Sequence, residues 1–178
     1  MTAARTIERL ETARLICERL RAEHDEELAH LLLDPRVTRT LWPGAGPMDE
    51  ARLTESLRQK EEHWDRFGFG LWLLRDRESG EMVGRGGLQH TFVGGRAEVE
   101  VGWAIVPERW GQGLATELAL TSLDVAFDEL RFADVIAFTL PDNGASIRVM
   151  EKAGFSYERD IVHVGFPHVL YRRLREAT

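Results

Sequence analysis

From Glu98 to Ile105 apolar and polar positions alternate, with Val99, Val101, Trp103 and Ile105 on one side and Glu98, Glu100, Gly102 and Ala104 on the other. A period of two predicts a strand. Pro107 ends it, because proline has no amide hydrogen for a ladder. From Leu114 the spacing becomes helical: Leu114 and Leu118, Ala115 and Ala119, then Leu123 and Ala126. Between the two patterns lies Glu108-Arg109-Trp110-Gly111-Gln112-Gly113, a turn with two glycines. Strand, glycine turn and helix start together make an anion site. The first helical amides have no partner within the helix, the dipole is positive at that end, and glycine lets a phosphate approach.

The rest of the chain reads as follows. Ala13 to Leu20 predicts a first strand with Ala13, Leu15 and Cys17 on one face, and Ala22 to Leu33 a helix stopped by Asp34-Pro35. Arg36 to Met48, with two prolines and two glycines around Trp42, predicts an irregular loop. Asp49 is placed to cap a helix running to about Arg66, whose charges read as a solvated face. Phe69 to Arg75 and Met82 to His90 form a hairpin, and Gly84, Gly86 and Gly87 mark a bulge or a close backbone approach. Ala133 to Leu140 is a strand, Ala145 to about Ala153 a helix closed by Gly154, and Phe155 to Val162 and His168 to Leu174 are two last strands. The result is an α+β fold: a mixed, mostly antiparallel sheet of six to seven strands with helices on both faces, in one domain over residues 1–178.

Composition narrows the function. With 23 basic and 30 acidic residues the formal charge is −7, which argues against non-specific binding to nucleic acid. No apolar run approaches a membrane span, and Met1 to Leu10 has no apolar core of signal-peptide length. Cys17 is the single cysteine, so neither an intrachain disulfide nor a cysteine metal cluster is expected; it reads as a small core residue. A cytoplasmic protein with no metal and no membrane partner is the expectation, and self-association into a homodimer stays open.

The glycine turn lacks the Lys-Ser/Thr pair of a nucleotide-hydrolase loop, since Leu114-Ala115 follows Gly113, and Thr116 replaces the third glycine of a dinucleotide fingerprint. It resembles motif A of the GNAT superfamily of acetyl-CoA-dependent N-acetyltransferases, with Gly113 and Ala115 at the last two fixed positions and Trp110 in the Arg/Gln place. The form WGQGLATE resembles the RimJ/RimL-type branch. Asn143 to Phe155 is similar to motif B, N-x-x-S/A-x-x-x-x-E-K-x-G-F. The resemblance covers nearly the whole chain, including the opening ETARLICERL.

It implies that loop amides from Arg109 through Trp110, Gly111, Gln112 and Gly113 to Leu114 and Ala115 hold the pyrophosphate of coenzyme A. The strand end at Ala104, Ile105 and Val106 would pair with pantetheine, and Asn143, Ser146, Arg148 and Lys152 would complete the cofactor site. Trp42 is a candidate wall for the amine acceptor, a protein N-terminus or a small molecule. Many relatives carry a Tyr just before Glu-Lys that protonates the leaving thiolate; Met150 stands there, and Ser146, one turn earlier, is the expected substitute. Acyl transfer also needs a base for the amine. Glu100 is the first candidate, as base or water-holder, and Glu98 the second. Replacing Glu100 by Gln is expected to cost most at low pH, where the amine is protonated. The other function class compatible with these residues is a coenzyme A-binding sensor or docking module without turnover.

Overall fold

The computed structural model describes residues 7–46 and 48–176. Pro47, assigned to the irregular loop, lies outside them. Eight strands form one sheet in the order β1-β2-β3-β4-β5-β6-β8-β7: β1 Arg9–Glu11, β2 Leu15–Arg19, β3 Leu71–Asp76, β4 Met82–Val93, β5 Arg96–Ile105, β6 Asp134–Thr139, β7 Ser156–His163 and β8 Phe166–Leu174. The strand beyond the expected seven is β1, three residues pairing Leu10 with Cys17, too short for a periodic signal.

Every neighbouring pair is antiparallel except β5 and β6. Those two run parallel, and their ladder among the described residues is the single pair Glu100–Ile136. Beyond Glu100 the strands part, and the β6-facing edge of β5 from Val101 to Ile105 has no ladder partner. The sheet therefore opens in its middle.

Helices cover both faces. On one, α1 (Asp25–Leu32), α2 (Pro35–Leu41) and α3 (Glu50–Phe67) bury Leu28, Leu31, Val37, Leu53 and Leu57 against Leu71, Leu73 and Ala104. On the other, α4 (Leu114–Asp124) and α5 (Gly144–Lys152) bury Leu118, Leu123 and Met150 against Leu74, Val101 and Val135. The stop read at Asp34-Pro35 holds, α1 ending at Leu32, and the same pair also starts α2. The Asp34 carboxylate accepts from the Arg36 amide at 2.8 Å, and Pro35 takes the first helical position, where its missing N–H costs nothing. The irregular loop is thereby shortened to Trp42 and the residues after it, and α2 stands over the opened strands.

The glycines of β4 mark close approaches. A Cβ on Gly84 would lie 2.4 Å from the Ala104 carbonyl, and one on Gly86 would lie 2.3 Å from the Leu118 side chain. α4 can sit this close to the sheet because β4 offers it no side chain there. Cys17 is fully buried, and burial pushes its thiol up to about 12, so it serves as a core residue. Among the described residues no helix is long and apolar enough to cross a membrane.

Candidate active site

Two cavities meet where β5 and β6 part. The one of about 440 Å³ lies between α2, the end of β5 and the N-termini of α4 and α5. The other, about 530 Å³, lies between the Trp42 loop, α3, β4, β5 and the β7–β8 turn. Thr40, Leu41, Trp103, Asn143 and Ser146 line both, and form the wall between them.

The smaller cavity is built around the glycine turn. Gly111 and Gly113 have φ of 75° and 81°, the left-handed region that glycine enters without strain. A Cβ on Gly111 would meet nothing within 4 Å, so the space above it is open. Gly113 caps α4 without a side chain, leaving the amides of Leu114, Ala115 and Thr116 for an outside acceptor. The turn is pinned on three sides. The Arg14 guanidinium donates to the Gln112 carbonyl at 2.6 Å, Arg109 Nε to Gln112 Oε1 at 2.9 Å, and Trp110 Nε1 to the Ile105 carbonyl at 2.7 Å. Trp110 thus staples turn to strand and leaves half of its surface exposed (50%).

The cations expected here divide. Arg109 is taken up by Asp76 at 2.6 Å, which lowers that carboxyl to about 2. Arg148 and Lys152 line the cavity, and neither pairs with a carboxylate among the described residues. Arg39 of α2 joins them at the wall, with Arg36, which Asp34 and Glu108 hold at 2.7 and 2.9 Å; the reading of α2 as loop had missed both. Val106 and Gln112 are absent from the lining; Val106 packs on the core and donates its amide to Val83. An anion-holding turn, open glycines and free cations fit a long phosphorylated ligand such as coenzyme A.

At the junction Asn143 caps α5, its Oδ1 accepting from the Ser146 amide at 3.3 Å. Asn143 Nδ2 donates to Thr139 Oγ1 at 2.9 Å and to Ser146 Oγ at 3.1 Å. The Ser146 oxygen therefore accepts from Asn143, and its own hydrogen is free to donate into the junction. Met150 is buried in the core and reaches neither cavity.

The larger cavity holds Glu100. Gln89 Nε2 donates to Glu100 Oε2 at 3.2 Å, and Lys60 Nζ donates to Gln89 Oε1 at 2.7 Å. Burial pushes the Glu100 carboxyl up to about 7, against the Gln89 hydrogen bond and the attraction of Lys60 and Arg85. Burial likewise brings Lys60 down to about 8. Trp42 lines this cavity, with Arg85 Cζ 5.8 Å from its ring centre. Glu98 does not line it. Its carboxylate receives the Arg172 guanidinium at 2.8 and 3.0 Å, which holds it below the usual carboxylate range. The second-choice carboxylate is thus a strand-to-strand tie, while Glu100 faces open space.

Lys60, Arg85 and Gln89 were missed in the sequence. Lys60 had a signal: it continues the α3 stripe Leu53, Leu57, Lys60, Trp64, so it points inward rather than to solvent. Arg85 sits at an inward strand position among glycines, which periodicity alone cannot distinguish from an edge.

Residues 14–156 match the Acetyltransferase (GNAT) domain family. The Bacillus subtilis (strain 168) protein YkkB is 33% identical over 159 residues, covering 87% of this chain and 91% of its own. The N-acetyltransferase YoaA of the same organism is 28% identical over 150 residues, covering 84% and 83%. Among solved structures, a GnaT-family acetyltransferase from Bordetella pertussis superposes with a TM-score of 0.79 at 26% identity, over 93% of this chain and 98% of that one. The strands that part beside Glu100, the uncapped α4 amides and these relatives agree: the chain belongs to the GNAT family of acetyltransferases, and is an enzyme.

Proposed function

We propose that the protein transfers an acetyl group from acetyl-CoA to a primary amine by direct attack on the thioester. The observation that carries this is the junction: an anion-holding cavity and a carboxylate-bearing cavity share a wall made by Trp103, Asn143 and Ser146. Coenzyme A lies along the α4 turn, with its phosphates on the amides of residues 111–115 and beside Arg148 and Lys152. The amine enters from the Glu100 side. Glu100 takes its proton, directly or through a water, as nitrogen bonds the acetyl carbon. On the unpaired β5 edge the Ile105 N–H is offered to the carbonyl oxygen, while Ala104, laddered with Arg85, turns its own N–H toward β4. The C–S bond breaks, and Ser146 donates a hydrogen bond to the departing sulfur, which takes its proton from water.

The RimJ/RimL-type resemblance of WGQGLATE supports a protein N-terminus or a small amine as acceptor, in the cytoplasm. The protein is read as one acetyltransferase domain, with a homodimer as its proposed assembly and no metal in the reaction. Release of free thiol from acetyl-CoA that depends on added amine tests the proposal. Binding of acetyl-CoA with no amine-dependent release from any primary amine would overturn it in favour of a sensor.

Two variants sharpen the assignment. A hydrogen bond to a developing charge is worth roughly 1.5–3 kcal/mol, so Ser146→Ala should lower turnover about ten- to a hundredfold, with coenzyme A affinity unchanged. Single-turnover rates check it. Gly102→Val should act on the other cavity: a Cβ there stands in the lumen, its nearest neighbour Glu100 Oε1 at 3.5 Å, and the backbone is unstrained. The expected result is a KM for amine raised at least about tenfold, because a filled cavity excludes ligand, with Tm and coenzyme A affinity held.

A further inference from the structure

Arg85 is the least explained residue of the larger cavity. It is 9% exposed, projects from β4, and lines the lumen. Among the described residues its guanidinium makes no hydrogen bond and no ion pair; its contacts are the Trp42 ring face and a longer-range attraction to Glu100. With no acceptor among those residues, its nitrogens stay open to the lumen, and its planar fork matches a carboxylate that enters there. Lys60 adds a second cation to the same lumen, bonded among the described residues to the neutral Gln89 alone. Against these two stands one carboxylate, Glu100, so with all three ionised the group carries one positive charge in excess.

Resting on the acetyl-transfer reading, we infer that the acceptor is a small amine bearing its own carboxylate, of the amino-acid type. Its carboxylate pairs with Arg85 while its amine faces Glu100. Trp42, over the guanidinium, keeps water from the pair. A second cation in place of the carboxylate, as in a polyamine, meets Arg85 and Lys60 and is repelled. The amide of an amino acid, and hence most peptide N-termini, lacks the charge that Arg85 calls for.

The test uses matched acceptors: the common L-amino acids, their amides, and the corresponding decarboxylated amines, assayed by thiol release from acetyl-CoA. The expected result is a kcat/KM at least about tenfold higher for the best free acid than for its amide and its decarboxylated partner. Arg85→Gln should raise KM for the acid about ten- to a hundredfold, change KM for the amine far less, and so abolish the preference. Arg85→Lys should restore part of it. Equal use of all three classes by the wild type, or an equal loss on all three in Arg85→Gln with acetyl-CoA affinity retained, would overturn the inference and leave acetyl transfer standing. If no acceptor turns over, transfer itself fails. The inference is then decided by calorimetry with N-acetyl-L-amino acids and the matching N-acetylamines: tighter binding of the acids, lost in Arg85→Gln, sustains it, and equal binding overturns it.

Discussion

Glu100→Gln should lower kcat/KM for the amine by about a hundredfold or more near pH 8, since general-base catalysis contributes roughly 10²–10⁴. The pH dependence is the diagnostic part. The Glu100 carboxyl is raised from 4.5 to about 7 by burial, so below that pH the wild-type base is already protonated and has little to lose. The wild-type profile should rise through about 7, the variant should lack that inflection, and the gap between them should widen as pH rises toward the pKa of the amine. This reverses the expectation from sequence, which considered protonation of the amine and not of the base. Folding stability should move the opposite way. A carboxyl whose folded pKa lies above its unfolded value contributes stability below about 4.5 and loses it as pH rises through about 7. Glu100→Gln should therefore gain stability on the wild type above pH 7, read by Tm across the range. A uniform loss of activity at every pH, with the inflection kept, would assign the base to another group.

Gly113→Val should weaken acetyl-CoA binding by at least about tenfold, more than it lowers stability. Gly113 has φ of 81°, where a β-branched residue is strained by roughly 1–3 kcal/mol, and its site is the first turn of the anion-holding helix. The added carbons would also meet Arg14 Nη2, 3.4 Å from an ideal Cβ, and Arg14 is the side chain that holds the Gln112 carbonyl. Calorimetric titration with acetyl-CoA checks it. A folded variant with wild-type affinity would take the phosphates away from this turn.

How much of this was legible in the sequence follows from what local patterns encode. The βα turn, the Asp49 cap and the Gly154 stop were all readable, because each needs one residue type at one position: the Asp49 carboxylate accepts from the Arg52 amide at 2.8 Å, and Gly154 has φ of 82°. Asp34-Pro35 was read as a stop, which it is, but the helix that the same pair starts was missed. The split of the sheet beside Glu100 was not legible at all. It is set by where β6 ceases to pair, a long-range property. The same holds for Glu98 and Glu100, alike in spacing until Arg172 on β8 claims the first and Gln89 on β4 the second. Apolar stripes were assigned to faces, while Lys60, read with the solvated charges of α3, turned out to point inward, and partners across the sheet remained to be found.

The central claim is that the two cavities are one continuous site with the acetyl group at the shared wall. It is tested most directly by a conjugate in which the sulfur of coenzyme A is joined through an acetyl linker to the nitrogen of an amino-acid acceptor. Holding one half in place presents the other at an effective concentration in the millimolar range or above. The account predicts that the conjugate binds at least about a hundredfold tighter than coenzyme A alone, that Arg85→Gln removes part of this gain, and that Gly113→Val weakens conjugate and coenzyme A alike. A conjugate that binds no tighter than coenzyme A would contradict it.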